Sequence, residues 1–379
     1  MNRWLRWASP ALVLSGALAW HLSSTPALEA QPRPRAHPPA VVTLEGPGDG
    51  GQTEVLLRWL DGASPPRVLG RITHAEGSAR RGALLRGEDG WSALAVVAME
   101  DPVRGEGYRS ALWRVTAQGR VARLADGLVD ASNALVTERG AVLVQRGEAG
   151  PEPVLDPARR ALVEREDRLQ LDRVDPVSGA RVTVWSGRGQ LAFLAAALRG
   201  DELAVYHVTS AGAYVFVLDA RSGAVRPLLG PAPALARDFS FDATRDELVF
   251  ARAEAPGSAR YEVLAVPVHG AATPRVLYTG ASDHLMPRAL PRGGVALSLP
   301  GDEGLALRGA SGDLARLAPL GAGSDCPLAA TRDGRWLLLR HSTTQREALV
   351  ALDLTDLSAA VYGDHGALVE PLGFAPGSP

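Results

Sequence analysis

One pattern recurs along this chain and constrains its fold more than any other feature. A short apolar strand is followed by a polar turn, usually with Gly, and then by a second strand ending on a hydrophobic residue. It stands at LLRWLDGASPPRVL (56–69), ALWRVTAQGRVARL (111–124), QLDRVDPVSGARVTVW (170–185) and VFVLDARSGAVRPLL (215–229). It returns at VLAVPVHGAATPRVL (263–277), LALRGASGDLARL (305–317) and LVALDLTDLSAAVY (349–362). Successive copies start 42 to 59 residues apart, with a mean near 49. Ahead of most copies a polar turn leads into another apolar strand, as in TRDGRWLLLRH (331–341), ATRDELVFAR (243–252), LRGDELAVYHV (198–208) and TERGAVLVQRG (137–147). GEDGWSALAVVAM (87–99) and PRGGVALSLP (291–300) are looser versions, and AVVTLEG (40–46) fills that slot before the first copy. A shorter apolar segment ahead of the turn completes four strands per unit.

The segments are rich in Val and Leu and bounded by Gly, Pro, Asp or Ser, the chemistry of strands and their turns. They are apolar on both faces: Val350, Leu352 and Leu354 alternate with Leu349 and Ala351. A sheet with one wet face would alternate more cleanly, so these sheets stack face to face. Four strands in a period of this length fit a propeller blade and are too long for a leucine-rich repeat. The sequence therefore predicts an all-β fold, a β-propeller of seven four-stranded blades. Six or eight blades stay open, because the first three units are irregular and an insertion at 148–168 stretches one of them. Asp156 to Arg168 within it reads as a candidate short helix. The ends predict closure: EPLGFAPGSP (370–379) resembles CPLAATRDGR (326–335), and the unit opening at Ala40 lacks that piece. The C-terminal strand should join the first blade and hide two sheet edges.

TRDGRWLLL followed by ALVALDLTD, and ATRDELVFAR followed by YEVLAVPVHG, resemble the repeat of TolB-like, WD-type propellers. There a Ser-Pro-Asp-Gly turn leads into an apolar strand and its hairpin partner; here Thr-Arg or Ala-Thr replaces Ser-Pro. The resemblance covers roughly 40–379, with good motifs in three or four units. It implies a propeller of six to eight blades, often periplasmic and used for protein contacts. The family also includes the propeller halves of some serine peptidases, whose hydrolase domain would need a few hundred further residues.

Charge and composition narrow the function. Of 379 residues 40 are basic, all of them Arg, against 42 acidic, and the Arg are scattered. No global field favours nucleic acid or an anionic membrane. Without Lys there is no Walker-type phosphate loop and no Schiff-base chemistry. The single Cys326 excludes an intramolecular disulfide and a cysteine-rich metal site; a small buried hydrophobe is its default role. Arg3 and Arg6 precede an apolar run from Ala11 to Trp20 and then small residues, the order of a secretory signal. Residues 1–30 are accordingly expected to be a signal peptide or an N-terminal anchor, 31–39 (QPRPRAHPP) a stiff linker, and 40–379 a single propeller domain. The protein is expected to be exported, periplasmic or extracellular in a bacterium, and monomeric, with no membrane span beyond that N-terminus.

Motifs for catalysis do not emerge. There is no Gly-x-Ser-x-Gly elbow, no His-Glu-x-x-His and no calcium loop, so no catalytic residue is assigned. Equivalent positions of different blades meet at a central channel, however. Acidic or His residues enter several innermost strands: His74 and Glu76, Asp130, Arg237 and Asp238, Asp283 and His284, Asp325, and His365. Asp238 and Asp325 both lie eight residues before a turn Asp, Asp246 and Asp333. Aligned, Asp130, Arg237, Asp238, Asp283, His284 and Asp325 would form a ligand-binding ring at one channel mouth, able to hold a divalent cation or a basic peptide group. The plainer reading is that short Asp side chains satisfy turn backbones. No cofactor is required. The expected function is an exported, non-catalytic scaffold in the cell envelope that binds a protein, peptide or other ligand. The alternatives are a metal-assisted lactonase or lyase with its site at the channel mouth, and a small-ligand or metal sensor.

Overall fold

The computed structural model describes Leu28–Glu29 and Pro39 to Pro376, except for 47–50, 60–63, 75–79, 88–89, 100–108, 130–132, 149, 151–153, 157–160, 164–165, 233–235, 256, 272, 282–284, 300–303, 310, 319–320, 345–346 and 365–367. Seven antiparallel four-stranded blades stand in a ring, a seven-bladed β-propeller. From the innermost strand outward, blade 4 is Leu191–Ala197, Glu202–Thr209, Gly212–Asp219 and Val225–Ala232, and blade 5 is Ala236–Asp242, Glu247–Ala253, Tyr261–Pro267 and Arg275–Gly280. Blade 7 runs Ser324–Ala330, Trp336–Ser342, Glu347–Asp353 and Ala359–Asp364. Blades 2, 3 and 6 begin innermost at Arg80–Gly87, Leu135–Val136 and Pro287–Ala289.

Burial explains why these strands read as continuous hydrophobic runs. In Glu347–Asp353 every residue after the first is buried, whereas the outer strand Val225–Ala232 is mostly exposed or half-exposed. The middle strands are covered on both faces by neighbouring blades. Val249, Ala251, Val263 and Ala265 of blade 5 pack with Val295, Leu297 and Ala306 of the next blade. Each fully buried Leu or Val contributes about 1.5–3 kcal/mol relative to exposure.

The Gly of the recurring turn has a packing cause. Gly119, Gly179 and Gly223 close the outer hairpins of blades 2, 3 and 4 at positive φ, 89°, 74° and 75°. A Cβ on them would meet the carbonyl oxygens of Leu69, Leu124 and Val184 at 3.0, 2.5 and 2.8 Å. Each turn thus docks against the outer strand of the preceding blade, too closely for a side chain.

Closure is as the sequence predicts. Leu368–Phe374 is the innermost strand of blade 1 and pairs antiparallel with Val41–Gly46, ahead of Gln52–Arg58 and Arg67–Thr73. Ala375 N donates to Ala40 O at 2.8 Å, and Tyr362 Oη to Pro39 O at 2.9 Å. The candidate helix at Asp156–Arg168 is instead a small hairpin, Val154–Asp156 with Ala161–Val163, and Asp167–Val174 is already the third strand of blade 3. Leu28–Glu29 adds a short parallel strand to Leu314–Ala318, the outer edge of blade 6. The expected signal run up to residue 27 and the linker from 31 to 38 lie outside the described residues. No helix among the described residues is long and apolar enough to cross a membrane.

Candidate functional site

Because all blades share one strand order, the N-terminal ends of the innermost strands lie at one end of the ring. Several of these strands bulge once near that end. In blade 5 the bulge falls between Arg237 and Ser240, in blade 7 between Pro327 and Ala329, and in blade 1 opposite Val42 and Thr43. Aligning the bulges makes Arg237, Cys326 and Glu370 equivalent; they pair with Ala251, Arg340 and Leu44. Met286 holds the same place in blade 6, ahead of Pro287 as Cys326 precedes Pro327 and Glu370 precedes Pro371. Pro is tolerated there because the innermost strand is an edge strand, with one side free of ladder hydrogen bonds.

These positions meet across blades. Cys326 Sγ lies 3.0 Å from Met286 Sδ, and the thiol also feels the charges of Arg340, Asp238, Arg288 and Glu370. Burial pushes it up to about 11, so it stays protonated at neutral pH. Arg340 bonds Val369 O at 3.0 Å and pairs with Glu370 Oε2 at 3.4 Å. Burial raises the Glu370 carboxyl above its ordinary value, against the pull of Arg340 and Arg81. Asp238 occupies the bulge itself at φ 55°, a conformation Asp tolerates better than most residues. Its Oδ2 lies 3.4 Å from Arg237 Nε, and burial raises its pKa against that cation. The Arg237 guanidinium lies 5.6 Å from the Tyr261 ring centre. Arg288, on the innermost strand of blade 6, has its pKa lowered by burial.

Asp325 takes a different place. It pairs in register with His341, one step before the bulge-equivalent Cys326, whereas Asp238 falls one step after Arg237. The two aspartates are two positions apart although their counts to Asp333 and Asp246 are equal, because those turn aspartates are themselves out of phase. Asp325 Oδ1 and His341 Nδ1 are 2.9 Å apart, with side chains 0% and 1% exposed. Burial raises the Asp325 pKa, opposed by the hydrogen bond and charge of His341. The pair is sealed from solvent, and Asp325 Oδ2 is buried without a hydrogen-bond partner among the described residues. His74 bonds Thr53 Oγ1 through Nε2 at 2.7 Å, within blade 1. Asp130, Asp283 and His284, with Glu76 and His365, lie outside the described residues. Among the described residues no group of three or more His, Cys, Asp or Glu could hold a metal ion. The sequence reading passed over Arg288, Arg340 and Glu370. The signal for them was the x-Pro step shared by Met286-Pro287, Cys326-Pro327 and Glu370-Pro371, which marks one register position in three consecutive blades.

Fold and cluster together define a seven-bladed β-propeller with a polar site where the innermost strands of four blades converge. No family model matches the chain, and no curated protein matches it in sequence. Among solved structures it is similar to a candidate 6-phosphogluconolactonase from Bacteroides uniformis, with TM-score 0.55 and 14% identity over 88% of this chain and 98% of that one. It is similar to a prolyl endopeptidase, with TM-score 0.53 and 13% identity over 87% of this chain and 50% of that one, so it spans half of that protein. TolB from Acinetobacter baumannii is a further similar structure, at TM-score 0.47 and 9% identity over 88% of this chain and 66% of that one. At such identities the likeness is one of fold.

Proposed function

We propose that this propeller is an exported binding scaffold of the cell envelope, and that it engages a protein or peptide partner through the cluster of Arg237, Asp238, Arg288, Cys326, Arg340 and Glu370. The observation that carries this reading is the placement of charged groups from four blades on strands instead of loops. A site on rigid elements is held in place before the ligand arrives, which lowers the ordering cost of binding. The neutral thiol of Cys326 supplies no ready nucleophile, and the buried His341–Asp325 pair serves packing. The order of Arg3, Arg6 and the apolar run to Trp20 supports export. The test is capture from the source cell envelope with the wild-type protein and with Arg340→Gln, both verified as folded by their melting curves. The wild type should retain a partner that Arg340→Gln loses. Equal capture by both would move the binding surface away from the cluster.

A further inference from the structure

We infer that the seam between blades 4 and 5 holds a binding site for a small molecule, one apolar ring carrying a carbonyl or carboxylate oxygen. A cavity of about 180 Å³ opens there, lined among others by Tyr206, Val215, Leu229, Pro231, Phe250 and Arg252. None of these residues belongs to the channel-mouth cluster, so the inference is independent of the scaffold reading.

The cavity follows from strand geometry. Leu248, Phe250 and Arg252 are alternate residues of one strand of blade 5 and so share a face. Leu248 and Phe250 pack into a core shared with blade 4, and Arg252 ends the row. It stands in register between Ala236 and Glu262. On the other side of the seam the outer strand of blade 4 bulges. Ala213 pairs with Ala232 and Val215 with Leu229, which leaves Gly230 and Pro231 opposite Tyr214 alone. Gly230 takes φ 129°, and a Cβ there would meet Tyr214 Cδ1 at 2.7 Å, so this bulge needs Gly. A bulge bends its strand, and here the bent stretch from Leu229 to Ala232 lines the cavity. The opposite wall is aromatic. Phe193 lies 5.1 Å from Tyr206, Tyr206 5.4 Å from Phe239 and Phe239 5.3 Å from Phe250, between ring centres.

Size and chemistry select the occupant. About 150 Å³ of apolar space is enough for a benzene ring, so one ring with a small substituent fits. Two donors at the cavity lack acceptors. The buried Arg252 Nε has no hydrogen-bond partner among the described residues, and the guanidinium is held through Nη2 to Glu262 Oε2 at a long 3.4 Å. Tyr206 Oη accepts from Ala236 N at 2.9 Å, while its own proton has no acceptor among the described residues. Burial raises the pKa of this phenol, so it keeps that proton. Donors left without acceptors in an apolar setting are costly, and an oxygen on the ligand would supply what they lack. An apolar pocket with a few placed polar groups is the usual build of a small-molecule site. A carbonyl would leave the Arg252–Glu262 pair intact, whereas a carboxylate would compete with Glu262 for the guanidinium.

The experiment is ligand-observed NMR titration of the full chain with three probes of one shape: acetophenone, benzoate and ethylbenzene. It compares the wild type with Arg252→Met, which keeps an apolar stem without the donors, and with Ala232→Leu, which fills the cavity from a half-buried position. Melting curves verify that each is folded. Acetophenone or benzoate should bind the wild type saturably, and ethylbenzene about tenfold more weakly, since it offers no acceptor to a charged donor. Arg252→Met should bring all three to the level of ethylbenzene, and Ala232→Leu should abolish binding. Tighter binding of acetophenone assigns a neutral carbonyl, and tighter binding of benzoate a carboxylate. No saturable binding of any probe up to its solubility limit would overturn the inference. So would equal affinity of the wild type for all three, or an Ala232→Leu protein that binds as the wild type does. Should neither variant fold, the ranking of the three probes on the wild type decides alone.

Discussion

The carboxylate of Asp353 is fully buried beneath the outer hairpin of blade 7. It accepts from Arg335 Nη2 at 2.8 Å, Thr355 N at 2.9 Å and Thr355 Oγ1 at 2.6 Å. Burial alone would raise its pKa; the donors from Arg335 and Thr355 outweigh it and hold the group below the ordinary Asp value. A native pKa below the unfolded one adds stability above the unfolded pKa, and that stability is lost as pH falls through the native value. Asp353→Asn should therefore cost about 1–3 kcal/mol at neutral pH. The gap between the two proteins in urea unfolding should narrow as pH falls below the ordinary carboxylate range. A constant gap from neutral to acid pH would mean the effect is one of packing. Asp238 and Glu370 carry the opposite sign, both raised by burial. Their contribution is greatest at low pH and falls as pH rises through their native values.

The repeated outer turn is built by sequence-local chemistry and then used for packing. Asp219 Oδ1 accepts from Ser222 N at 2.7 Å, Ser222 Oγ at 2.8 Å and Arg221 N at 3.1 Å. Asp175 does the same with Ser178 N at 2.6 Å and Ser178 Oγ at 2.8 Å. Both aspartates sit below their ordinary pKa because of these bonds. The following Gly takes the left-handed conformation that ends the turn. Gly223→Ala should cost about 1–2 kcal/mol for that backbone alone, and more for the approach of its Cβ to Val184 O at 2.8 Å. Equilibrium unfolding would measure it, and a neutral substitution would show that the turn can shift away from blade 3. The Asp, Ser and Gly of this turn were visible in the chain. The innermost-strand bulges were not, since each depends on how the strand meets its partner; Asp238 and Asp325 fall out of phase because the turn aspartates Asp246 and Asp333 stand two positions apart once the bulges are aligned.

The ring closes by strand pairing between the two ends of the domain. Blade 1 has its innermost strand at 368–374 and its next at 41–46, so the first blade cannot form without the end of the chain. Removing it would bare the edge of Val41–Gly46 and uncover Val41, which is 0% exposed and packs with Trp336, Leu338 and Phe374. Deleting residues 366–379 should abolish the cooperative melt, because a propeller with an open seam loses packing on both flanks. A truncated protein that melts like the parent would refute the clasp. Leu28–Glu29 on the outer edge of blade 6 places a second piece of N-terminal chain on the ring.

By itself the sequence determined the blade and its closure. Apolar faces on both sides of Leu349 to Leu354, the Gly of the outer turns and the likeness of 370–379 to 326–335 are local or repetitive, and each is legible without coordinates. The hairpin at 154–163 escaped because short apolar stretches suit helix and strand alike. Only the tertiary structure decided which side chains meet. Cys326 and Met286 are forty residues apart and touch because adjacent blades bring the same register position together. Arg288, Arg340 and Glu370 belong to strands whose charges look scattered in the chain. Their shared surroundings exist only once the ring has closed.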